Sequence, residues 1–553
     1  MNANRPERRR SPDDSLRLLI LVTVGLCVAC GDGPPAPAPR QRPEAVISGE
    51  QSSLSAPNPA AAIGDQRWLD GSGRPNADAR EAIALLSAAA DEGLDPADYS
   101  VDALARLSVA LAAPGTPSIE RARFDNLLMT NLLQFFRDLH LGRIDPRSLG
   151  LRLHVPAESH DFAALLGDAL AQHRVSAMAQ DLRPPLDQYQ ALRSQLSRYR
   201  ALVANSTLPQ IGETAPVRPG DTYADLGALQ QTLVALGDLA AESHLPQTSA
   251  SYDGATVTAV SRFQRRHGLQ PDGVLGKHTI AALRTPLTWR VRQIELALER
   301  LRWLPDITTR RLVVINIPMF RLWAWDSIAD NGLPALSMDV IVGRAVDART
   351  PVFVERMREL VIRPYWNIPR SILQAELLPL LAHDLDYLQR ERLEIVRGQD
   401  DDASPLEATM ENVEALRAGG LRLRQRPGPD NALGLIKFVF PNDEHVYMHG
   451  TPEPELFTRS RRDFSHGCIR VQDPAALAEW ALAGQPEWNR QQILASMAGA
   501  SSTHIALPQP IEVVLFYTTA AVMPEDNSLS FAEDIYEQDR TLDLALAGRR
   551  SAK

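Results

Sequence analysis

The segment of this 553-residue chain best equipped for chemistry is Ser465-His466-Gly467-Cys468-Ile469-Arg470, nineteen residues after His449-Gly450 by the spacing of His449 to Cys468. The other two cysteines, Cys27 and Cys30, stand at the end of a stretch that reads as an export signal. Once that signal is gone, Cys468 has no disulfide partner within its own folded chain. An unpaired thiol in an oxidising compartment is a liability unless it reacts. In an extended strand Tyr447 and His449 point to one face, two positions apart, while Val446 and Met448 point to the other. If that strand runs beside the segment carrying Cys468, His449 can take the thiol proton and the thiolate can attack a carbonyl. The backbone carbonyl of Gly450 is placed to accept from the second ring nitrogen and fix the tautomer. Gly467 leaves room for substrate, and the N–H groups of 467 and 468 are candidate oxyanion donors. His466, adjacent to the nucleophile, is a second candidate base, and sequence geometry does not separate the two histidines.

Other readings of these residues are weaker. A zinc site would need more ligands: His466 and Cys468 are two apart, no second cysteine accompanies them, and Asp443, Glu444 and His445 read as a turn. A buried core cysteine would not be flanked by His, Gly and Arg. Trp323, Trp325 and Trp366 read as packing residues and not as a sugar platform.

The elements that must position these groups are mainly strands. Residues 312–317, a turn at Pro318-Met319, and 320–325 read as a hairpin of β-branched and aromatic residues, and 337–342 as another strand. Further strands are expected at 360–362, 435–440, 446–449 and 511–518. One helix is clear, with Asp473 as N-cap, Pro474 at the first helical position and Gly484 past its end. Between Pro369 and about Leu421 the strand signal gives way to a polar, helical stretch (371–397, then 404–417), so residues 371–420 read as an insertion and candidate lid.

Upstream the chain is helical. Residues 1–29 carry Arg5, Arg8, Arg9, Arg10 and Arg17 before a twelve-residue apolar run, too short for a bilayer, which needs roughly 20 residues. Cys30 resembles a lipoprotein processing site, with ordinary cleavage nearby and an uncleaved anchor as the alternatives. Residues 30–62, rich in Pro, Ala and Ser, read as a disordered tether. Residues 63–210 form an expected helical scaffold: Leu127, Leu128, Asn131, Leu132, Phe135, Phe136 and Leu139 recur at helical spacing. Its Leu141-Gly142-Arg143-Ile144-Asp145-Pro146 reads as a helix C-cap and turn. Residues 219–288 read as a small three-helix unit with Val257, Val260 and Phe263 on one face, 289–311 as a linker helix with Ile294, Leu298 and Leu301 facing inward, 312–520 as the mainly-β part, and 521–553 as a C-terminal tail. The fold class is thus multidomain α+β. The composition, 44% hydrophobic and 23% charged, suits a soluble multidomain protein. The formal charge of −10 falls to about −12 without residues 1–29, which argues against nucleic acid as a partner. The only membrane association expected is through an N-terminal lipid.

Two resemblances follow from the motifs. Asp253-Gly254-Ala255-Thr256, Ala259-Val260-Ser261-Arg262-Phe263-Gln264, His267-Gly268-Leu269 and Asp272-Gly273-Val274-Leu275-Gly276 make 219–288 similar to the peptidoglycan-binding domain of cell-wall enzymes, although most of these are core and turn positions and do not by themselves imply binding. His449-Gly450, the gap, and Ser465-His466-Gly467-Cys468-Ile469-Arg470 resemble the signature of the L,D-transpeptidase catalytic domain. Val340-Ile341-Val342-Gly343, Thr350-Pro351-Val352-Phe353, Pro364-Tyr365-Trp366-Asn367-Ile368-Pro369, Arg424-Gln425-Arg426-Pro427-Gly428 and Asn431-Ala432-Leu433-Gly434 extend the match. The resemblance is to the large Gram-negative periplasmic members, in which such an insertion caps the active site. It implies that Cys468 is the nucleophile and His449 the base, with Tyr447 near the oxyanion and Gly450, Ser465, His466, Gly467 and Arg470 shaping the site. One departure is Gly450-Thr451-Pro452, where those members often have an aspartate after the histidine, but only the backbone carbonyl is needed there. The implied reaction joins two tetrapeptide stems, donor and acceptor, in a 3-3 peptidoglycan cross-link through a cysteine thioester. It implies no metal or other cofactor, susceptibility to carbapenems, a carboxypeptidase that supplies tetrapeptides, and a periplasmic, lipid-tethered location. An L,D-carboxypeptidase, a D-amino-acid exchange enzyme and an inactive peptidoglycan-binding scaffold are the alternatives.

Overall fold

The computed structural model describes residues 67–113, 115–153, 160–205, 207–213, 215–241, 251–305, 307, 310–328, 333–398 and 400–551. The expected signal, Cys27, Cys30 and the tether lie outside them.

The site rests on a nine-stranded sheet. From one edge its strands are Asp463–Ser465, Leu336–Gly343, Ile469–Val471, Met448–His449, Ile436–Val439, Phe353–Ile362, Thr503–Phe516, Leu312–Asn316 and Arg321–Trp325. Arg321–Trp325 pairs back onto Leu336–Gly343, so the sheet closes on itself. The alternation along Leu312–Asn316 shows why its sequence is apolar throughout. Val313 and Ile315 point into the barrel core, while Leu312 and Val314 lie under helices on the outside, so both faces are buried.

Those outer helices are Asp187–Asn205 and Leu287–Leu301. Leu192, Leu196 and Tyr199 of the first meet Ile294, Ala297, Leu298 and Leu301 of the second. Leu296, on the remaining face of the second helix, belongs to the barrel core. The expected linker helix is therefore the spine between the helical scaffold and the barrel. Its Glu299 is fully buried and accepts from Arg143 Nε at 3.0 Å, from the Ile144 backbone at 3.2 Å and from Arg302 at 3.1 Å. Gly142, at φ +83°, ends the long helix Ser118–Leu141, and a Cβ there would come within 2.8 Å of Trp303 Nε1. Only glycine fits that approach, so the Leu141-to-Pro146 motif is a cap and docking turn.

The three-helix unit consists of Leu226–Leu236, Gly254–Arg266 and Lys277–Leu283 around Leu229, Leu233, Val260, Phe263 and Ile280. Buried Gln264 ties its turn together, donating to Asp272, Val274 O and Thr279 and accepting from Gly273 N.

Two expectations need correction. Residues 521–553 do not form a tail. Ala520–Val522 and Leu529–Phe531 make a hairpin against the spine helices, and Gln538–Ser551 is a helix whose Leu542 and Leu546 join the barrel core. Asp539 pairs with Arg300 at 2.5 Å and Arg549 with Asp138 at 2.8 Å. Its apolar positions are sparse and its surface strongly charged, which hid this packing in the sequence. The insertion, in turn, is not purely helical. Leu393–Val396 and Pro405–Leu406 are strands, joined with Arg422–Gln425 and Trp366–Asn367 in a separate four-stranded sheet. It has its own core of Leu373, Leu377, Leu381, Leu388, Ile395, Val413, Leu416 and Leu423. Short strands of two to four residues carry too few alternations to register against helical flanks.

Candidate active site

The register of three short strands assembles the site. Met448–His449 runs parallel to Ile469–Val471, with Met448 opposite Ile469 and His449 opposite Arg470. It runs antiparallel to Ile436–Val439, with His449 opposite Lys437. Because side chains alternate, Met448, Ile469 and Phe438 point into the barrel core, and Lys437, Tyr447, His449, Cys468 and Arg470 share the opposite face. The parallel pairing thus brings together residues on either side of the sequence gap.

His449 is buried, and its Nδ1 lies 2.6 Å from the Gly450 carbonyl. That ring nitrogen therefore carries the hydrogen and donates, which leaves Nε2 with its lone pair. Gly450 fits tightly: its own N–H donates to Ile436 O, and Pro474 sits 3.3 Å from where a Cβ would be. Burial pushes His449 down to about 3, and the nearby cations Arg470 and Lys437 add to this against the hydrogen bonds to Gly450 and Leu433. The ring is a neutral acceptor across the physiological range.

Cys468 is half-buried. Its thiol donates to His445 O at 3.9 Å, and burial pushes it above the ordinary thiol value. The Tyr447 backbone N–H and phenol, with the charges of Lys437 and Arg470, pull the other way by favouring the thiolate. Lys437 was not singled out as a site residue. Its Nζ lies 4.1 Å over the Tyr447 ring, and burial lowers its value while the thiolate opposes that. The strand pairing that puts it opposite His449 is not visible in the sequence. Tyr447 also reaches Trp366, at the root of the insertion, and its ring centroid is 5.6 Å from that of His449.

The turn before Cys468 is built from Ser465. Its hydroxyl donates to Cys468 O and accepts from Gly467 N at 3.2 Å. This corrects the expectation that the N–H groups of both 467 and 468 face an oxyanion, because the hydroxyl of Ser465 already occupies that of Gly467. Gly467 adopts φ +112°, and its carbonyl accepts from Thr350 Oγ1 at 2.8 Å. The same hydroxyl accepts from Gly343 N at 2.9 Å, and Tyr536 OH bonds Gly343 O and Thr350 N. Tyr536, from the C-terminal segment, locks the loop that locks Gly467. Arg470 pairs with Glu453 at 2.7 Å.

His466 points away from this group. Its Nε2 is 2.9 Å from Glu376 Oε1 in the insertion, on the π-helical turn Leu373–Leu377. A groove of about 1360 Å³ lies elsewhere, between the three-helix unit and the barrel, and neither His449 nor Cys468 lines it.

Residues 310–488 match the family model of the L,D-transpeptidase catalytic domain, residues 222–283 that of the "Putative peptidoglycan binding domain", and residues 65–196 that of a "Scaffold domain". Over 256 residues the chain is 32% identical to a Haemophilus influenzae protein described as "Putative L,D-transpeptidase". That match covers 46% of this chain and 49% of that protein, so the chain spans about half the length of the curated relative it matches.

Proposed function

We propose that this chain, whose barrel is of the L,D-transpeptidase type and is joined to a peptidoglycan-binding type of unit, forms 3-3 cross-links between peptidoglycan stems. The observation that carries this reading is the strand register that sets the half-buried Cys468 thiol on one face with a histidine held as a neutral acceptor. In the proposed first half-reaction Cys468 Sγ attacks the carbonyl carbon of the third residue of a tetrapeptide stem, and His449 Nε2 takes the thiol proton. The C–N bond to the terminal D-alanine breaks as His449 returns that proton to the leaving amine. The Tyr447 phenol and the Cys468 N–H are the donors assigned to the oxyanion. In the second half-reaction the side-chain amine of a neighbouring stem attacks the thioester and the thiol is regenerated.

The insertion serves in this reading as a cap over the thiol, rooted where Trp366 meets Tyr447. The substrate places the reaction outside the cytoplasm, and the motif around Cys30 supports a lipid tether there. The test is to profile muropeptides by mass spectrometry after muramidase digestion of walls exposed to the protein and to Cys468→Ala. Loss of 3-3 dimers in the variant is expected, and substantial cross-linking by it would overturn the assignment.

A further inference from the structure

The acceptor in such a reaction is an amine that is cationic at neutral pH, yet the charges closest to the thiol are themselves cationic. Lys437 stands over Tyr447, and Arg470 lies on the same face as Cys468. They suit the carboxylates of a donor stem and repel an approaching ammonium.

The carboxylates around the site each have a cationic or histidine partner. Glu453 is paired with Arg470 at 2.7 Å. Glu359 and Asp401 bracket His504, at 2.6 and 3.0 Å. Glu376 differs. Its one hydrogen-bond partner among the described residues is the ring of His466, an exposed side chain two positions from Cys468. Its placement is fixed from behind, because Leu373 and Leu377 on the same turn, and Leu378 just after it, are buried in the core of the insertion. Single π-turns within helices recur at functional sites, where they re-aim a side chain. Here the turn delivers a carboxylate from the insertion to the ring of His466, two positions from Cys468.

We infer that Glu376 reads the acceptor: its carboxylate holds the ammonium of the incoming stem beside the Cys468 thioester, displacing the His466 ring to do so. The inference rests on the transpeptidase reading given above. The held ammonium releases one proton through Glu376 to solvent, and the free amine nitrogen attacks the thioester carbonyl. The C–S bond breaks, and the second N–H proton passes through His449 to the departing sulfur. Glu376 therefore sets which nucleophile resolves the thioester, and its loss shifts the outcome toward water.

The experiment uses the full chain with a synthetic tetrapeptide stem as donor and the same stem as amine acceptor, with hydroxylamine, uncharged at neutral pH, as a second acceptor. The readout is the ratio of transfer product to hydrolysed tripeptide by mass spectrometry, for wild type, Glu376→Gln and Glu376→Ala. Both variants should lower the ratio for the cationic acceptor by roughly tenfold or more, the loss of one charge-assisted contact, and keep the wild-type ratio for hydroxylamine. Unchanged ratios for both acceptors would make Glu376 a simple tie to His466, and equal falls for both would make it a general support of the site; either result overturns the inference. Failure of the variants to form any acyl-enzyme would place Glu376 before the acceptor step and overturn it too. Absence of an acyl-enzyme in wild type would instead sink the transpeptidase reading itself.

Discussion

Burial of a neutral His449 makes a quantitative statement about acid stability. The ring is pushed down to about 3 in the fold, against about 6.5 when exposed in the unfolded chain. Between these two values the unfolded state binds a proton that the folded state refuses, so stability is full above the unfolded value and falls as pH drops through the window. Lowering the pH from about 7 to about 5 should therefore remove about 2 kcal/mol through this one group. His267, also buried and held well below its ordinary value, acts in the same direction, while His504, raised by Asp401 and Glu359 against its partial burial, acts in the opposite one. A direct comparison of two pH values thus mixes several histidines, and the variant His449→Gln isolates one. Urea titrations followed by tryptophan fluorescence, on wild type and variant at both pH values, give the double difference, in which the substitution's own effect on packing cancels. The acid-induced loss should be smaller in the variant by about 2 kcal/mol. Equal losses in the two proteins would show that His449 titrates normally in the fold and that the neutral-acceptor argument is wrong.

The base assignment predicts that His449→Ala slows single-turnover acylation far more than His466→Ala, since His466 faces Glu376; the reverse ranking would move the base. Thr350→Val keeps the shape of a fully buried side chain but strands Gly343 N–H and Gly467 C=O, so it should cost about 1–3 kcal/mol in denaturant titrations and lower the acylation rate, and a silent variant would free Gly467 from that tether. Glu299→Ala leaves Arg143 and Arg302 as buried cations without their shared carboxylate and should cost about 3–5 kcal/mol, measured as a shift in the urea midpoint; a loss near zero would mean that the spine helix does not depend on this cluster. Hydrogen exchange should find residues 371–420 mobile in the free protein and protected once a carbapenem has acylated Cys468, and equal protection in both states would remove the insertion's role as a cap.

How far the site was legible depended on whether its geometry is local. Strand alternation alone puts Tyr447 and His449 on one face, and the Gly450 carbonyl is near the ring because it is the next residue. The cap and turn character of Gly142 was similarly readable, because a glycine after a long helical run is a local signal. Most barrel strands were found because β-branched runs such as Leu312–Asn316 are long enough to show their type, whereas the three-residue strands Asp463–Ser465 and Ile469–Val471 were not expected. What stayed hidden is non-local. Whether Cys468 lies beside Tyr447 depends on a parallel pairing across the nineteen-residue connection 450–468, and nothing in either two- or three-residue strand encodes its neighbour. Lys437 enters the site through the same kind of pairing, and Thr350 through a hydroxyl contact from a loop far away in sequence. Gly467 N–H looked free because its occupant, Ser465 Oγ, reaches it only after the turn has closed.

The electrostatics of the site follow from that non-local assembly and bear on when the thiolate forms. An imidazole held near 3 is a poor place to store the thiol's proton, and burial disfavours the thiolate as well. The resting pair is therefore a neutral thiol beside a neutral imidazole, unlike the preformed ion pair that a thiol at a helix N-terminus or beside His⁺ would favour. In the proposed reaction charge then has to develop as the carbonyl arrives, when the Tyr447 N–H and phenol, Lys437 and Arg470 are already in place around the sulfur. Such donors cost nothing to reorganise at the moment of attack, which is the condition under which fixed dipoles stabilise a transition state more than a ground state. Under the proposed function it would also let the thiol survive in an oxidising compartment. A thiol that is ionised only in the presence of its substrate offers little thiolate to adventitious oxidants.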